Sequence, residues 1–138
     1  MTAPHFFDTN ILIYAVSRQA DEARKQERAA ALLAGDGGAV SVQVLQEFYF
    51  QVTRPTRSGF LSHDLACGFI DSWRRFPIQD MTMTVFTDAL DICRAHRFSY
   101  WDSAIIAAAR ALGCDTLYTE DLSHGREIEG GRIVDPFR

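Results

Sequence analysis

Short apolar runs alternate with longer segments of helical period along this chain. The apolar runs predict buried strands at residues 5–7, 39–41, 114–118 and 132–134. The helical periodicity predicts helices over residues 11–16, 20–33, 41–54, 62–76, 84–96 and 99–112. Buried strands separated by helices are typical of an α/β fold, in which a central parallel sheet is flanked by helices on both faces.

Composition places the chain among ordinary globular proteins. It has 138 residues, of which 47% are hydrophobic and 23% are charged, and these values favour one domain with a sizeable core. The chain has 18 acidic residues and 14 basic ones, so its formal net charge is −4. That balance excludes the binding of nucleic acid through bulk positive charge, but it does not exclude local basic patches.

The sequence predicts neither an export signal nor a membrane span. The first 16 residues lack a basic segment, and Asp8 interrupts their apolar character. No apolar stretch approaches the roughly 20 residues that a span needs. The three cysteines form no Cys-x-x-Cys pair, and we expect them to be small buried side chains. We therefore expect a cytoplasmic protein with reduced thiols.

Acidic residues occur at the positions where a parallel sheet usually carries its ligand site. Asp8 follows the first predicted strand, and Glu120 and Asp121 follow the strand at 114–118. Asp102 lies in the first turn of the helix predicted from Ser99, and Glu47 lies in the second turn of the helix predicted from Ser41. Because the carboxyl ends of parallel strands meet at one edge of a sheet, these acids are candidates for one shared site.

Each acid also has a purely structural explanation. Asp8 could cap the helix predicted from residue 11, and Asp102 fits a capping box that begins at Ser99. Asp121 could cap a short helix of its own, and Glu47 could be a solvated helical position. Glu47 fits this alternative least well, because its neighbours in sequence are largely apolar and aromatic.

Four converging carboxylates would repel one another, which would raise their pKa values and destabilise the fold. A hard divalent cation removes that cost. Oxygen ligands without clustered His or Cys favour Mg²⁺ or Mn²⁺ over zinc. Such a site can activate a water and stabilise the departing oxygen of a phosphate ester. The acids together therefore indicate phosphate-ester chemistry.

The same acids lie in four segments that resemble the successive motifs of the PIN-domain ribonucleases. The segments are Phe7-Asp-Thr-Asn-Ile-Leu-Ile-Tyr14, Gln46-Glu47-Phe48, Trp101-Asp-Ser-Ala-Ile-Ile-Ala-Ala-Ala109 and Tyr118-Thr-Glu-Asp121. They occur in family order over nearly the whole chain, and they are most similar to the VapC toxins of bacterial toxin–antitoxin pairs. The resemblance implies that residues 1–138 form a single PIN-like domain with a three-layer α/β fold.

The resemblance also implies an activity and its residues. The resemblance implies a Mg²⁺- or Mn²⁺-dependent endoribonuclease. The acids that correspond to the family's four metal-binding residues are Asp8, Glu47, Asp102 and Asp121. Thr119 matches the hydroxyl residue that supports the last acid, and Asn10 matches the polar residue that orients the first. Glu120 departs from the pattern by adding an acid beside Asp121. We expect Asp121 to face the metal and Glu120 to have a supporting position.

An RNA substrate, a VapB-like antitoxin and a homodimer are the partners that the resemblance implies. Arginines near helix ends or in loops could contact RNA phosphates; they are Arg54, Arg57, Arg74, Arg75, Arg94 and Arg97. The aromatic residues in the middle of the chain are Phe48, Tyr49, Phe50, Phe60, Trp73 and Phe76. Most of them should lie in the core, and any that are exposed could bind a helix of a partner protein.

The four histidines are expected to lie at the surface or in loops, because a metal-activated water needs no His base. They are His5, His63, His96 and His124. His124 follows Asp121 by three residues and is the one that could meet a substrate.

Two alternatives compete with a ribonuclease. An aspartyl-phosphate protein, such as a haloacid-dehalogenase-like phosphatase or a receiver domain, also places an acid after a strand. Such a phosphatase usually needs a second Asp where this chain has Asn10, and both families need a lysine near the phosphoryl group. Lys25, the single lysine, is expected to be solvated. The second alternative is a catalytically inactive or housekeeping PIN-like protein that binds or processes RNA.

Overall fold

A six-stranded sheet forms the centre of the computed structural model, which describes residues 4–138. The strands are β1 (His5–Phe7), β2 (Gly38–Ser41), β3 (Ile78–Gln79), β4 (Thr116–Tyr118), β5 (Glu127–Ile128) and β6 (Gly131–Val134). Their order across the sheet is β3-β2-β1-β4-β6-β5. Five strands are parallel, and β5 pairs antiparallel with β6.

Six α-helices flank the sheet in the described part of the chain. They are α1 (Thr9–Ala15), α2 (Ala23–Ala34), α3 (Val42–Val52), α4 (His63–Trp73), α5 (Met83–His96) and α6 (Tyr100–Ala111). A 3₁₀ turn at Ala20–Glu22 leads into α2. Ser41, Ser62, Thr82 and Ser99 each cap a helix by accepting a hydrogen bond from the N–H three residues later. Each predicted helix is therefore present, and the α/β fold is confirmed.

Two strands differ from the sequence prediction. The apolar pattern does not predict β3 or β5, because a two-residue strand is too short to show an alternation. Strands β5 and β6 form a hairpin in which Glu129 and Gly130 both have positive φ angles, 54° and 82°. The sheet is therefore mixed at one edge, where we had predicted parallel strands throughout.

The core lies between the central strands and the helices that pack on them. Phe6 and Phe7 of β1 and Val40 of β2 are almost completely buried. The segment 103–109 of α6 is also buried, and α6 packs extensively against α5. Within residues 4–138, no helix combines the length and the apolar character needed to cross a membrane.

Strand β1 lies where the strand order changes direction. From β1 the chain passes to β2 and β3 on one side, and it later returns to β4 on the other side. Phe7 at the end of β1 pairs with Tyr118 at the end of β4. Ligand sites of open α/β sheets form at such a change in strand order, beyond the carboxyl ends of the strands.

Candidate active site

A cavity of about 300 Å³ lies beyond the ends of β1 and β4. The residues that line it are Asp8, Thr9, Asn10, Ile13, Glu47, Gln51, Trp101, Asp102, Ile105 and Asp121. All four acids of the predicted quartet are among them, although they come from four separate segments of the chain. None of the residues lining this cavity is a lysine or an arginine.

Asp8 is the most buried of these acids, with only 7% of its surface exposed. It caps α1, because its Oδ1 accepts a hydrogen bond from the Thr9 N–H at 2.7 Å. Its Oδ2 accepts one from the Thr119 hydroxyl at 2.8 Å. Burial raises the pKa of Asp8 to about 6, and the neighbouring charges of Asp121 and Glu47 act in the same direction. The folded protein therefore resists ionising this carboxyl unless a positive charge compensates it.

Asn10 and Thr119 connect the two strand ends. The Asn10 amide Nδ2 donates to Thr119 Oγ1 and to Asp121 Oδ2, both at 3.1 Å. The Asp121 N–H donates to Thr119 Oγ1 at 3.1 Å. Thr119 is fully buried, so this hydroxyl is fixed between Asp8 and Asp121. Asn10 therefore orients Asp121 directly, whereas the hydroxyl of Thr119 bonds directly to Asp8.

Glu47 is held on the inner face of α3 by two neighbours. Its Oε2 accepts from the Thr9 hydroxyl at 3.3 Å, and its Oε1 accepts from Gln43 Nε2 at 3.0 Å. Gln43 is buried, and the same Nε2 donates to the backbone oxygen of Trp101 at 3.2 Å. One side-chain amide therefore connects α3 to the first turn of α6. The sequence analysis did not select Gln43, although its i, i+4 spacing to Glu47 is the usual spacing of such pairs.

Asp102 lies in the first turn of α6. Its backbone N–H donates to the cap residue Ser99 at 3.1 Å, as the predicted capping box requires. No hydrogen bond found within residues 4–138 uses its carboxylate, so the reciprocal half of the box does not form. The Asp102 carboxylate is therefore available to a ligand in the cavity.

Glu120 points away from the cavity. Its carboxylate accepts a hydrogen bond from the Tyr14 hydroxyl and forms an ion pair with Lys25 at 2.8 Å. The Lys25 ammonium also lies over the rings of Tyr14 and Phe137, at 4.8 and 5.5 Å from their centroids. Lys25 stays partly exposed, but it is not merely solvated as we had expected, because its ammonium pairs with a carboxylate and contacts two aromatic rings. Lys25 does not line the cavity, which argues against aspartyl-phosphate chemistry there.

The cavity walls fit a hard divalent cation by their chemistry. The acids offer carboxylate oxygens, no sulfur or imidazole lies among them, and Asp8 is buried next to further negative charge. As the side chains stand, no three His, Cys, Asp or Glu residues within 4–138 form a group arranged to hold a metal ion. The residues that could hold one are Asp8, Glu47, Asp102 and Asp121.

The histidines lie outside the cavity wall. His5 is half-buried in β1 and packs on Tyr118, so our expectation of a surface or loop position was wrong for this residue. His124 accepts a hydrogen bond from the Asp135 N–H at 3.0 Å, which gives it a structural role. His63 is exposed and bonds to the Tyr49 hydroxyl, and His96 pairs with Glu129.

The cysteines and the central aromatic residues divide between core and surface. Cys114 is buried, and burial raises the pKa of its thiol to about 11, whereas Cys67 and Cys93 are only half-buried. Three of the six aromatic residues selected from the sequence are buried, Tyr49 is half-buried, and Phe50 and Phe60 are exposed. The buried ones are Phe48, Trp73 and Phe76.

Comparisons with known proteins point to one family. The family model described as "PIN domain" matches residues 5–126. A toxin–antitoxin complex from Klebsiella pneumoniae is structurally similar, with a TM-score of 0.69, 18% sequence identity and coverage of 96% of this chain and 97% of that one. No curated protein has a significantly similar sequence.

Two further solved structures share the fold at the same low identity. VapBC2 from Rickettsia felis, bound to a DNA fragment from its promoter, has a TM-score of 0.63 and 18% identity, and it covers 94% of this chain and 96% of its own. VapC20 from Mycobacterium tuberculosis, a toxin that cleaves the sarcin–ricin loop, has a TM-score of 0.65 and 18% identity, with coverage of 85% and 89%.

Proposed function

This chain belongs to the PIN domain family, and from that premise we propose that it is an endoribonuclease that depends on Mg²⁺ or Mn²⁺. The observation that carries the proposal is the cavity at the change in strand order. Four separate segments bring Asp8, Glu47, Asp102 and Asp121 to its wall, and Asp8 is buried there. Capping of α1 explains one hydrogen bond of Asp8, but it does not explain why three further acids line the same cavity, where their charges disfavour ionisation of the buried carboxyl.

In the proposed mechanism the four acids would hold the cation, and the bound cation would lower the pKa of a water and offset charge on the phosphate. Asp8 contributes from a fixed position, because both of its oxygens accept hydrogen bonds. Asn10 keeps Asp121 turned towards the cavity, and Gln43 with Thr9 does the same for Glu47. The Asp102 carboxylate, which has no partner among the described residues, completes the set.

The first test is cleavage of total RNA by the purified protein. Asp8→Asn and Asp102→Asn should each lower the rate by more than about 100-fold, because ligand loss costs more than the 10- to 100-fold typical of outer contacts. EDTA should abolish cleavage, and Mg²⁺ or Mn²⁺ should restore it. Asp91→Asn is a matched control, since Asp91 is an exposed acid on α5 that does not line the cavity. Wild-type rates in both cavity variants would contradict the assignment of these acids. Absence of metal-dependent cleavage by the wild-type protein would favour a PIN-like protein that only binds RNA.

We further propose that the protein is the toxin of a VapBC-type pair, with a VapB-like antitoxin and a homodimeric assembly. The support is its similarity to toxins solved with their antitoxins. Expression of the chain should arrest bacterial growth, and Asp102→Asn should not. The product of an adjacent small gene should relieve the arrest, and light scattering of the purified chain should give twice the mass of one copy. Growth unaffected by the active chain would contradict the toxin role while leaving the nuclease intact.

A further inference from the structure

Trp101 is a large aromatic side chain on the wall of the acidic cavity, yet 65% of its surface is exposed. Its neighbour in α6, Tyr100, contacts it edge-on, with the ring centroids 4.9 Å apart and the planes at 75°. Most apolar residues of this size are buried, because burial of an aromatic ring is strongly favourable. The residues that anchor α6 to the core lie further along, at 103–109. The fold therefore does not require a tryptophan at this position.

The cavity has to bind a polyanion although its walls are acidic. Four carboxylates line it, and none of its lining residues carries a positive charge. A divalent cation can neutralise the negative charge of a phosphate, but it does not bind a nucleobase. Trp101 is the one aromatic residue among those that line the cavity, and it lies next to Asp102 in sequence. Every base has a π-face, and single-stranded nucleic acids are commonly held by stacking on such rings.

The backbone that carries this ring is well fixed. Ser99 caps α6 by accepting from the Asp102 N–H, and Gln43 donates to the Trp101 carbonyl at 3.2 Å. The same Gln43 amide also donates to Glu47, so one side chain fixes both the Trp101 backbone and a cavity acid. A ring on a rigid helix start can keep a stacked base at a constant distance from the acids.

We propose that Trp101 forms a base-binding subsite, in which an unpaired RNA base stacks on the indole while the neighbouring phosphate reaches the acids. This inference deepens the proposed nuclease function and rests on it. It implies that the base on Trp101 is unpaired, because a base has to leave a duplex stack before it can stack on the indole.

Binding is measured in the Asp8→Asn background, so that the oligonucleotide is not cleaved. The chain has two tryptophans, and the other, Trp73, is buried against Phe48 and Phe69. A mixed-sequence single-stranded RNA oligonucleotide in Mg²⁺ should therefore quench mainly the Trp101 fluorescence. A blunt duplex of the same sequence should bind more weakly and quench less.

Substitutions of Trp101 separate stacking from simple apolar contact. Trp101→Ala should raise the Kd of the single strand by roughly 10- to 100-fold, the usual effect of removing one stacked base contact. Trp101→Phe should keep most of the affinity, and Trp101→Leu should not. Phe60→Ala is the matched control, because Phe60 is exposed but does not line the cavity. In the active protein, Trp101→Ala should lower kcat/KM by a similar factor.

Several results would overturn the subsite. An unchanged Kd for Trp101→Ala, or a Trp101→Leu variant as tight as Trp101→Phe, would exclude stacking. Equal losses for the duplex and the single strand would show that Trp101 does not select an unpaired base. Unchanged RNA binding together with loss of antitoxin neutralisation would assign Trp101 to a protein partner. Failure of the nuclease proposal would be detected separately. If Asp8→Asn and Asp102→Asn cleaved RNA at the wild-type rate, that proposal would be refuted whatever the binding titration shows.

Discussion

Asp8 serves as a helix cap and as a cavity acid with the same carboxylate. One oxygen accepts from the Thr9 N–H at the start of α1, and the other accepts from the Thr119 hydroxyl. These hydrogen bonds favour the charged form, but burial outweighs them and raises the pKa to about 6. The capping explanation considered from the sequence is therefore correct, and it does not exclude a catalytic role.

The raised pKa of Asp8 predicts how stability depends on pH without divalent ions. Between 3.8, the ordinary value, and about 6, the folded chain holds a proton that the unfolded chain has lost. Stability should therefore fall as pH rises through this window, by about 3 kcal/mol in all, and then level off. Asp8→Asn cannot ionise and should not show this loss.

Urea unfolding of both proteins in EDTA, at a pH of about 4.5 and of about 7.5, measures the difference. The stability advantage of Asp8→Asn over the wild type should be larger at the higher pH. Mg²⁺ should reduce that advantage by stabilising the wild type more than the variant, which lacks one of the four proposed ligands. An advantage that is the same at both pH values would show that Asp8 ionises normally in the folded chain.

Sequence position was sufficient to select some residues of the cavity and not others. Asp8 and Asp121 follow predicted strands, so topology alone brings them together. Gln43 and Thr9 could not be selected in this way, because their importance depends on the rotation of α3 against α1 and α6. The partner of Glu120 was equally inaccessible, since Lys25 is 95 positions away in the sequence.

The segment that follows β4 is fixed by contacts with two helices, α1 and α2. Asn10 at the start of α1 holds Asp121 towards the cavity. On the other side, Lys25 of α2 and Tyr14 of α1 hold Glu120. Adjacent acids therefore point in opposite directions, and the pair that involves Glu120 fixes the backbone that presents Asp121.

Lys25→Met should thus affect cleavage more than stability. The ion pair is partly exposed, so its loss should lower the free energy of unfolding by less than about 1 kcal/mol. The single-turnover rate should fall roughly 10-fold, as is usual for residues that position a metal ligand. Glu120→Gln should behave alike, and the double variant should be little worse than either one, because the two residues act as a unit.

Arg132→Met is the control for this experiment. It breaks an exposed ion pair with Glu127 in the β5–β6 hairpin, outside the cavity wall. Its cleavage rate should equal that of the wild type. If Lys25→Met also kept the wild-type rate, the contact with Glu120 would have no part in placing Asp121.

The elements that the sequence did not predict lie at the edges of the sheet. Strands β3 and β5 form because neighbouring strands offer free backbone groups, and their own sequences carry no strand pattern. Strands β1 and β2 were predictable because consecutive residues in them are buried, on both faces of the sheet, and are therefore mostly apolar; β4 was predictable from its buried Leu117 and the half-buried Tyr118 beside it. The candidate site depends only on central strands, so the missed edges did not affect it.

The excess of negative charge in this chain equals the charge of the four cavity acids. Outside the four cavity acids, 14 acidic residues remain against 14 basic ones. Many arginines already have partners within the described chain. Arg74, Arg110 and Arg132 pair with carboxylates, and Arg24, Arg28 and Arg75 donate to backbone oxygens. The arginines without such a partner are therefore the better candidates for phosphate contacts.

Arg54 has the best position among the remaining arginines. It is exposed, it lies over the Phe50 ring at 5.6 Å, and it donates to the side chain of Gln51 at 2.6 Å. Gln51 lines the acidic cavity, so the Arg54 charge lies beside the rim. No carboxylate pairs with it among residues 4–138, and an RNA phosphate that leaves the cavity could take that place.

Arg54→Ala should therefore weaken binding of a single-stranded RNA by the inactive Asp8→Asn protein. Loss of one phosphate contact should also reduce the slope of log affinity against log salt by about 0.7. The matched control is Arg74→Ala, because Arg74 is also exposed but is already paired with Asp71. Affinity measured by anisotropy over a series of salt concentrations separates the two. An equal change in slope for both variants would mean that bulk charge, and not the position of Arg54, attracts the RNA.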